Sequence, residues 1–304
     1  MADDSGRTEF RSGFIAVAGR PNVGKSTLVN ALLGQKVAIV SSKPQTTRRR
    51  QLGILTTDVA QLIFMDAPGI NRPRHALDEY MRAAAGAAID EADVVLWVVD
   101  VSVPPGPGER HIAGLVVGRG AGVVLAFNKS DKLRPEKVLP HTDAYRALAP
   151  EAAWMLTSAT RGDNLAALLA LLVAALPRGP QYFPEEQVTD ATVREIAAEL
   201  IREAALHELR AEIPHGIAVE IEDFDETDPS HIHITAGIYV ERESHKGIVI
   251  GRGGAMLKRI GSSARVEIER LVEARVFLDL HVRVRPDWRS NDRDVRRFGY
   301  TNRG

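Results

Sequence analysis

Cysteine is absent from all 304 residues, so neither a disulfide framework nor a thiolate metal centre can hold any part of the chain. That absence suits a reducing cytoplasm. A secretory leader is not expected either, because Met1-Ala2-Asp3-Asp4 is acidic where such a leader is basic, and no apolar run follows. Long apolar runs are missing too. The longest, Leu165–Leu176, covers 12 residues, too few to cross a bilayer and enough for a packed helix. Nor is there an excess of one charge, the formal net charge being −1 at pH 7. The balance hides a segregation. Glu and Asp crowd residues 212–228, whereas from Arg242 onward Lys and Arg outnumber acids roughly two to one, which leaves room for a basic face. The length suits about two domains, each with its own core.

What is present begins with Phe14–Thr27, FIAVAGRPNVGKST. An apolar β-type run breaks at Gly19, and Gly24, Lys25 and Ser26 complete G-x-x-x-x-G-K-[ST]. Glycines let successive backbone N–H groups converge on one phosphate, and the helix starting near Lys25 adds its positive end. Lys25 reaches the outer phosphates and the Ser26 hydroxyl is placed to hold Mg²⁺. The loop Gly19, Arg20, Pro21, Asn22, Val23, Gly24, Lys25, Ser26 and Thr27 is therefore a nucleoside triphosphate cradle.

A polar stretch, Ser41–Arg50, has no evident packed face and reads as a mobile loop, with Arg48-Arg49-Arg50 as a solvated lead into a strand. Strands near Gln51–Thr57 and Ala60–Phe64 follow, the second running into Asp66-Ala67-Pro68-Gly69. Alone, D-x-P-G is a common turn. About forty residues past a phosphate loop, Asp66 stands where a water-mediated Mg²⁺ ligand belongs, and the Gly69 N–H can meet the terminal phosphate. A helix is expected over Ala76–Asp90, then a buried strand over Asp93–Asp100, with Pro104–Pro107 as a loop. The apolar strand Gly122–Phe127 ends in Asn128-Lys129-Ser130-Asp131. A carboxylate at Asp131 can accept from guanine N1–H and the exocyclic amine, whereas adenine offers no such pair. Asn128 can meet the Hoogsteen edge and Lys129 can pack over the ring. After strand Ala152–Leu156, a backbone N–H of Ser158 or Ala159 is placed to touch the guanine carbonyl. Strands and helices alternating in this way give a doubly wound α/β domain, closed by helix Asp163–Leu176 and the linker Pro177–Pro184.

The second half reads α-β-β-α-α-β: helix Val188–Ala211, strands Ile217–Phe224 and His231–Glu241, a Gly-rich turn between two helical segments, and strand Val276–Val284. The turn Gly251-Arg252-Gly253-Gly254 in that order of elements is the KH signature, where a single-stranded nucleic-acid backbone approaches the glycines. Lys246, Gly247, Ile248, Ile250, Gly251, Arg252, Gly253, Gly254 and Lys258 are the expected RNA contacts. His231 and His233 share a strand face, but no third residue has metal-ligand spacing, so polar surface histidines are the reading there.

With both halves read, the chain resembles the bacterial Era GTPases, a Ras-like GTPase domain joined to a type II KH domain. The resemblance rests on GRPNVGKS at Gly19–Ser26, QTTR at Gln45–Arg48, DAPG at Asp66–Gly69 and NKSD at Asn128–Asp131. FPEEQVTD at Phe183–Asp190 and HKGIVIGRGG at His245–Gly254 complete it. It implies a fold of class α/β, a P-loop GTPase domain with a mostly parallel sheet, followed by an α+β type II KH domain. The expected boundaries are a tail at 1–12, the GTPase domain at 13–177, a linker at 178–187, the KH domain at 188–286 and a tail at 287–304. It further implies GTP and GDP binding, Mg²⁺, association with the 3′ end of small-subunit ribosomal RNA and the small ribosomal subunit, and a role in small-subunit maturation. A monomer, a cytoplasmic location and a peripheral inner-membrane contact follow from the same likeness. Ala67 stands where most relatives carry Thr, and Arg252-Gly253 where they often place a second polar residue.

In the expected mechanism Lys25, Thr47, Gly69 and Asn22 act on the reaction, with Ser26, Thr47 and Asp66 around the metal and Thr46 as the alternative to Thr47. Ras-type enzymes orient the attacking water with a Gln directly after the D-x-x-G glycine. Here that residue is Ile70, which cannot hydrogen-bond water, so slow basal hydrolysis is expected. Relatives with GRPN use the Asn to hold K⁺ against the phosphates; Asn22 either does this or stabilises the loop. Two rivals are a P-loop ATPase or small-molecule kinase, which Asn128–Asp131 argues against, and a passive RNA-binding protein with a structural nucleotide.

Overall fold

The computed structural model describes residues 9–41, 43, 46–69, 75–118, 121–210 and 213–301. The first core is built on β1 (Arg11–Ala18), followed by α1 (Lys25–Leu33), β2 (Gln51–Thr56), β3 (Ala60–Asp66), α2 (Ala76–Glu91) and β4 (Val94–Asp100). Then come α3 (Pro107–Val116), β5 (Gly122–Asn128), α4 (Val138–Arg146), β6 (Ala153–Leu156) and α5 (Leu165–Ala175). The six strands lie in the order β2-β3-β1-β4-β5-β6, all pairs parallel except β2 with β3. Strand β4, VVLWVVD, is apolar without alternation because both its faces are covered. Trp97, Phe127 and Tyr145 fill one side of the sheet, and Leu28, Val29, Leu168 and Leu172 the other. Crossover helices on both sides put the strand C-termini at one edge, where the phosphate loop, Asp66, Asp100 and Asn128 emerge.

The second core follows α6 (Val193–Glu208), β7 (Ala218–Asp225), β8 (His231–Val240), α7 (Glu243–Ile250), α8 (Ala255–Val272) and β9 (Arg275–Val284). Its sheet runs β7-β8-β9, β8 pairing antiparallel with β7 and parallel with β9, with α6 and α8 packed together beside it. Ile201, Ala205, Ile234, Ile238, Ile260 and Ile268 close this core. The α-β-β-α-α-β order with a parallel final strand is the type II KH arrangement. Among the described residues no helix is long and apolar enough to cross a membrane.

Several details depart from the sequence reading. Helix α6 begins at Val193 rather than Val188, because Thr192 caps it: its hydroxyl accepts from the Glu195 N–H while Glu195 accepts from the Thr192 N–H. Val188 and Asp190 instead line the edge of β2, accepting from the Ile54 and Leu52 N–H groups. The linker is pinned as well. Gln61, wholly buried in β3, accepts from the Tyr182 and Phe183 N–H groups and donates to the Phe183 carbonyl. The segment after 286, expected as a tail, packs instead. Trp288 is fully buried with its indole N–H on the Gly216 carbonyl, and Asn291 caps a further helix, α9 (Asp292–Arg297). Arg48, expected to be solvated, is buried.

The chain divides into two compact units, and the division is not a single cut. One unit holds residues 9–38, 47–69 and 81–190; the other holds 39–46, 75–80 and 191–301.

Candidate functional site

The glycine cradle forms between β1 and α1. Gly24 adopts φ +100 at the first turn of α1, and a Cβ there would meet the Asn128 amide nitrogen at 2.4 Å. Only glycine lets the loop close this tightly. Lys25 lies buried with its ammonium donating to the Gly19 and Arg20 carbonyls, 3.2 Å from each. Gly69 packs on Pro21, so the D-x-P-G turn, with Ala67 and Pro68, abuts the loop. Val23 is buried beneath it, and Thr27 continues into α1.

At the base of the cradle the sequence candidates converge. The Ser26 hydroxyl donates to Asp66 Oδ2 at 2.6 Å and stands 2.9 Å from Thr47 Oγ1, itself 3.4 Å from the same carboxylate oxygen. Thr46 turns away, donating to the Lys43 carbonyl at 2.7 Å. Of the two threonines left open by the sequence, Thr47 is the one gathered here. Asp66 is buried, and its Oδ1 has no hydrogen-bond partner among the described residues. Burial pushes its carboxyl above the usual range, against the opposing influence of Lys25, Ser26 and Thr47. Burial likewise pulls the Lys25 ammonium down, with Asp66 opposing. Two hydroxyls, a buried carboxylate oxygen without a partner and a nearby ammonium are the hard donor set and charge that Mg²⁺ and a triphosphate need.

The base-reading motif is braced in ways the spacing did not show. The Asn128 amide donates to the Val23 carbonyl at 2.9 Å and accepts from the Ala159 N–H at 3.0 Å. It ties the phosphate loop to the loop after β6, and the second hydrogen of its amide nitrogen is left over for a ligand. The Ser158 N–H donates to the Asp163 carbonyl at 3.3 Å. The Ser158 hydroxyl donates to Asp131 Oδ1 at 2.7 Å and aims that carboxylate. Lys129, at φ +62, donates to the Asn22 carbonyl at 2.6 Å and to Asp100 Oδ2 at 2.7 Å, which lays its stem along the cradle.

Asp100 escaped the sequence reading although it ends β4 beside these motifs. Partial burial favours its neutral form, but hydrogen bonds from Lys129 and Ser102 outweigh it and hold the carboxyl below the usual range. Glu109, also missed, is buried in α3 with Oε1 2.5 Å from the Arg20 guanidinium, so the loop's Arg is anchored from below. A carboxylate three residues after a proline-rich turn was the available signal, since Glu109 also caps the Gly106 N–H. Ile70 lies outside the described residues.

In the other unit, α7 and α8 are joined by Gly251–Gly254. Gly251 adopts φ +73, and a Cβ there would meet Met256 Cβ at 2.7 Å; at Gly253 and Gly254 a Cβ would meet nothing within 4 Å. The turn thus offers a bare outer backbone flanked by exposed Arg252 and Lys258 and the half-exposed Ile248. Gly247, Lys246 and Ile250 line the preceding helix, whose Gly247 carbonyl accepts from the Gly251 N–H at 2.9 Å. Of the strand histidines, His233 stacks on Phe277 with ring centroids 5.3 Å apart, and His231 meets Asp228 at 3.3 Å.

Comparison with known proteins agrees with both halves. Residues 14–129 match the family model described as 50S ribosome-binding GTPase, and residues 212–289 match the KH domain model. GTPase Era of Geobacter metallireducens is 47% identical over 293 residues, 96% of this chain and 98% of that protein. GTPase Era of Ruminiclostridium cellulolyticum is 44% identical over 291 residues, again 96% and 98%. A crystal structure of Era in complex with MgGDPNP and nucleotides 1506–1542 of 16S ribosomal RNA aligns at TM-score 0.93 and 40% identity, covering 96% of this chain and 99% of that one. A variant of Aquifex aeolicus Era bound to GDP and AlF4⁻ aligns at 0.92 and 40%, covering 96% and 100%. The cradle, the Ser26–Thr47–Asp66 cluster, the braced Asp131 and the glycine turn occur in one chain with full-length likeness to these proteins, and the chain belongs to the Era family of GTPases.

Proposed function

We propose that this GTP hydrolase binds GTP and GDP at the cradle with Mg²⁺, and binds the 3′ end of small-subunit ribosomal RNA at the Gly251–Gly254 turn during small-subunit maturation. The observation that carries the first part is the gathering of Ser26, Thr47 and Asp66 within 2.6–3.4 Å of one another around a buried carboxylate. The second rests on the bare glycine backbone between α7 and α8, together with the Era relative solved with nucleotides 1506–1542 of 16S ribosomal RNA.

In this reading the Lys25 ammonium exchanges the Gly19 and Arg20 carbonyls for β- and γ-phosphate oxygens, a short swing from where it already lies. Ser26 and Thr47 would hold the metal directly, with Asp66 acting through water. The ion, when bound, offsets negative charge on the β- and γ-phosphates during in-line attack. The Gly69 N–H faces the γ-phosphate from beside Pro21. Asp131, oriented by Ser158, selects guanine. Asn22 would hold K⁺ beside the phosphates, and the ion would supply positive charge of the kind an arginine finger gives.

Base choice is the direct test. Asp131→Asn replaces an acceptor with a donor toward the guanine amine while its carbonyl oxygen still accepts from Ser158. GTP affinity should fall and xanthosine triphosphate affinity rise, each mismatched buried hydrogen bond being worth about 1–3 kcal/mol. Competition of GTP, ATP and xanthosine triphosphate for the parent and the variant measures this. Unchanged GTP preference in the variant would move the base-reading role away from Asp131.

A further inference from the structure

The sheet of the KH unit has one face packed against α6 and α8 and one face turned away from them. Ile232, Ile234, Ala236 and Ile238 of β8 enter the core, so the alternate positions 231, 233, 235, 237 and 239 stand on the outer face. The register carries this across all three strands. Asp225, His233 and Phe277 form one row, and Asp223, Thr235 and Asp279 form the next. Half of the outer face is occupied. There the Tyr239 and Phe298 rings meet with centroids 4.8 Å apart, and Arg297 of α9 pairs with Glu220 at 3.0 Å. Glu222, at the irregularity in β7, meets His281 at 3.0 Å and Arg283 at 3.1 Å.

The other half is bare, and its centre is apolar. Phe277 is 64% exposed, the most exposed Phe, Tyr or Trp among the described residues. Its ring meets His233 across the strands, centroids 5.3 Å apart, a pairing that steadies the ring without covering it. Around it stand Asp223, Asp225 and Asp279, all exposed and without an ion-pair partner among the described residues. Asp225 accepts from the Thr227 hydroxyl and N–H at 2.6 and 2.9 Å, bonds that hold its carboxyl below the usual range and keep it charged. In the turn after β7, Asp228 accepts from Ser230 and meets His231 at 3.3 Å. Arg275, opposite His231 at the start of β9, supplies positive charge at the outer corner. Asp223, Asp225 and Asp228 belong to the acidic stretch 212–228, which neither the cradle nor the glycine turn uses.

An exposed ring within a rim of carboxylates turns phosphates away and attracts cations. The basic residues of the unit's glycine turn lie elsewhere. That turn precedes α8 and β9 follows it, so a helix of 18 residues, about 27 Å long, separates the turn from the start of β9. We propose that the bare half of the outer face docks a basic segment of a protein partner, with an arginine laid over the Phe277 ring beside Asp279 and further basic residues along Asp223 and Asp225. Asp279 is two residues along the strand from Phe277, about 7 Å, within reach of a guanidinium centred on the ring. Arginine suits the place better than lysine, because its flat guanidinium stacks on an aromatic face while its N–H groups still bond carboxylates in its own plane. An aromatic centre that is desolvated on contact, inside a charged rim, is the build of a protein-contact hot spot.

The test titrates peptides of repeating Arg-Gly, Lys-Gly and Ser-Gly into the full-length, GDP-bound protein. The parent should bind the Arg peptide about threefold more tightly than the Lys peptide, and the Ser peptide far more weakly than either. Phe277→Ala removes a solvent-exposed ring, so its unfolding midpoint should stay parental while the preference for Arg over Lys disappears. Asp279→Asn and Asp225→Asn should each weaken both basic peptides about threefold and flatten their salt dependence; the new amide at 225 still accepts from Thr227. Glu151→Gln, which removes an exposed acid outside this face, should leave both affinities parental. Equal weakening by Glu151→Gln would show a response to net charge alone and overturn the proposal. So would a preference for Arg that survives Phe277→Ala, or a parent that binds the Ser peptide as well as the Arg peptide. A single-stranded oligoribonucleotide should bind Phe277→Ala and the parent alike. Loss of RNA affinity with peptide binding intact would make this face an RNA platform and remove the protein partner from it.

Discussion

At the scale of single residues, the proposed K⁺ role of Asn22 can be separated from its backbone role. Asn22 is a non-glycine residue at φ +64, a conformation Asn tolerates better than most side chains, and its carbonyl accepts from Lys129 at 2.6 Å. Those backbone facts account for Asn in the loop; the proposed K⁺ role would fall to the side-chain amide. Ala is therefore a poor control, since it strains the backbone by roughly 1–2 kcal/mol as it removes the amide. Asn22→Gly accepts the left-handed turn while removing the side-chain amide. Hydrolysis measured in K⁺ and Na⁺ at equal ionic strength should be faster in K⁺ for the parent and equal in both salts for Asn22→Gly. Matching rates in the parent would remove the cation from the mechanism. The residues whose chemistry depends on fixed spacing along the chain, Lys25, Ser26, Asp66 and Asp131, were legible in the sequence. Asp100, Glu109 and the bracing uses of Asn128 and Ser158 were not. Their partners lie tens of residues away, and spacing does not encode such hydrogen bonds.

At the scale of elements, strands and long helices were legible because hydrophobic runs and periodicity report burial directly. The short helices α3 and α4 were missed. Pro107 at the first position of α3 reads as part of a proline-rich loop, although proline is favoured at a helix start. The linker was read as stiff from its composition, but the side chain that pins it, Gln61, sits in β3, far from it in sequence, and was not legible there. Gln61 satisfies two backbone N–H groups and one carbonyl of residues 182 and 183, all at 2.8–3.0 Å. Gln61→Leu keeps the volume and strands the two N–H groups, while the Phe183 carbonyl keeps the Gln181 amide as a donor. A loss of about 2–4 kcal/mol in denaturant unfolding is expected, since each unsatisfied buried polar group costs about 1–3 kcal/mol. Gln181→Ala, at an exposed position of the same linker, should change stability by less than about 0.5 kcal/mol. Equal small effects from both would show that water reaches the freed N–H groups and that the linker is not held by Gln61.

At the scale of the whole molecule, two cores support two chemistries, and substitutions in the glycine turn can separate them if the right glycine is chosen. Sequence alone treats Gly251, Gly253 and Gly254 alike. In the structure they differ. Gly251 lies against Met256 at φ +73, so a side chain there collides with the backbone at the first turn of α8 and strains its own backbone as well. Gly253, at φ +57, faces open space, and Asp is among the residues that accept this conformation. Gly253→Asp therefore places one negative charge where RNA phosphates approach and leaves the fold intact. RNA affinity, titrated with an oligoribonucleotide of the small-subunit 3′ end at fixed salt, should fall at least about tenfold. GTP hydrolysis without RNA should stay at the parental rate, because the cradle, Asp66 and Asp131 are untouched. Gly251→Asp should instead lower the unfolding midpoint, so its loss of RNA binding would report damage to the fold rather than to the contact. If Gly253→Asp binds RNA as the parent does while Gly251→Asp still unfolds early, the turn is a structural corner of the KH unit and the RNA backbone passes elsewhere.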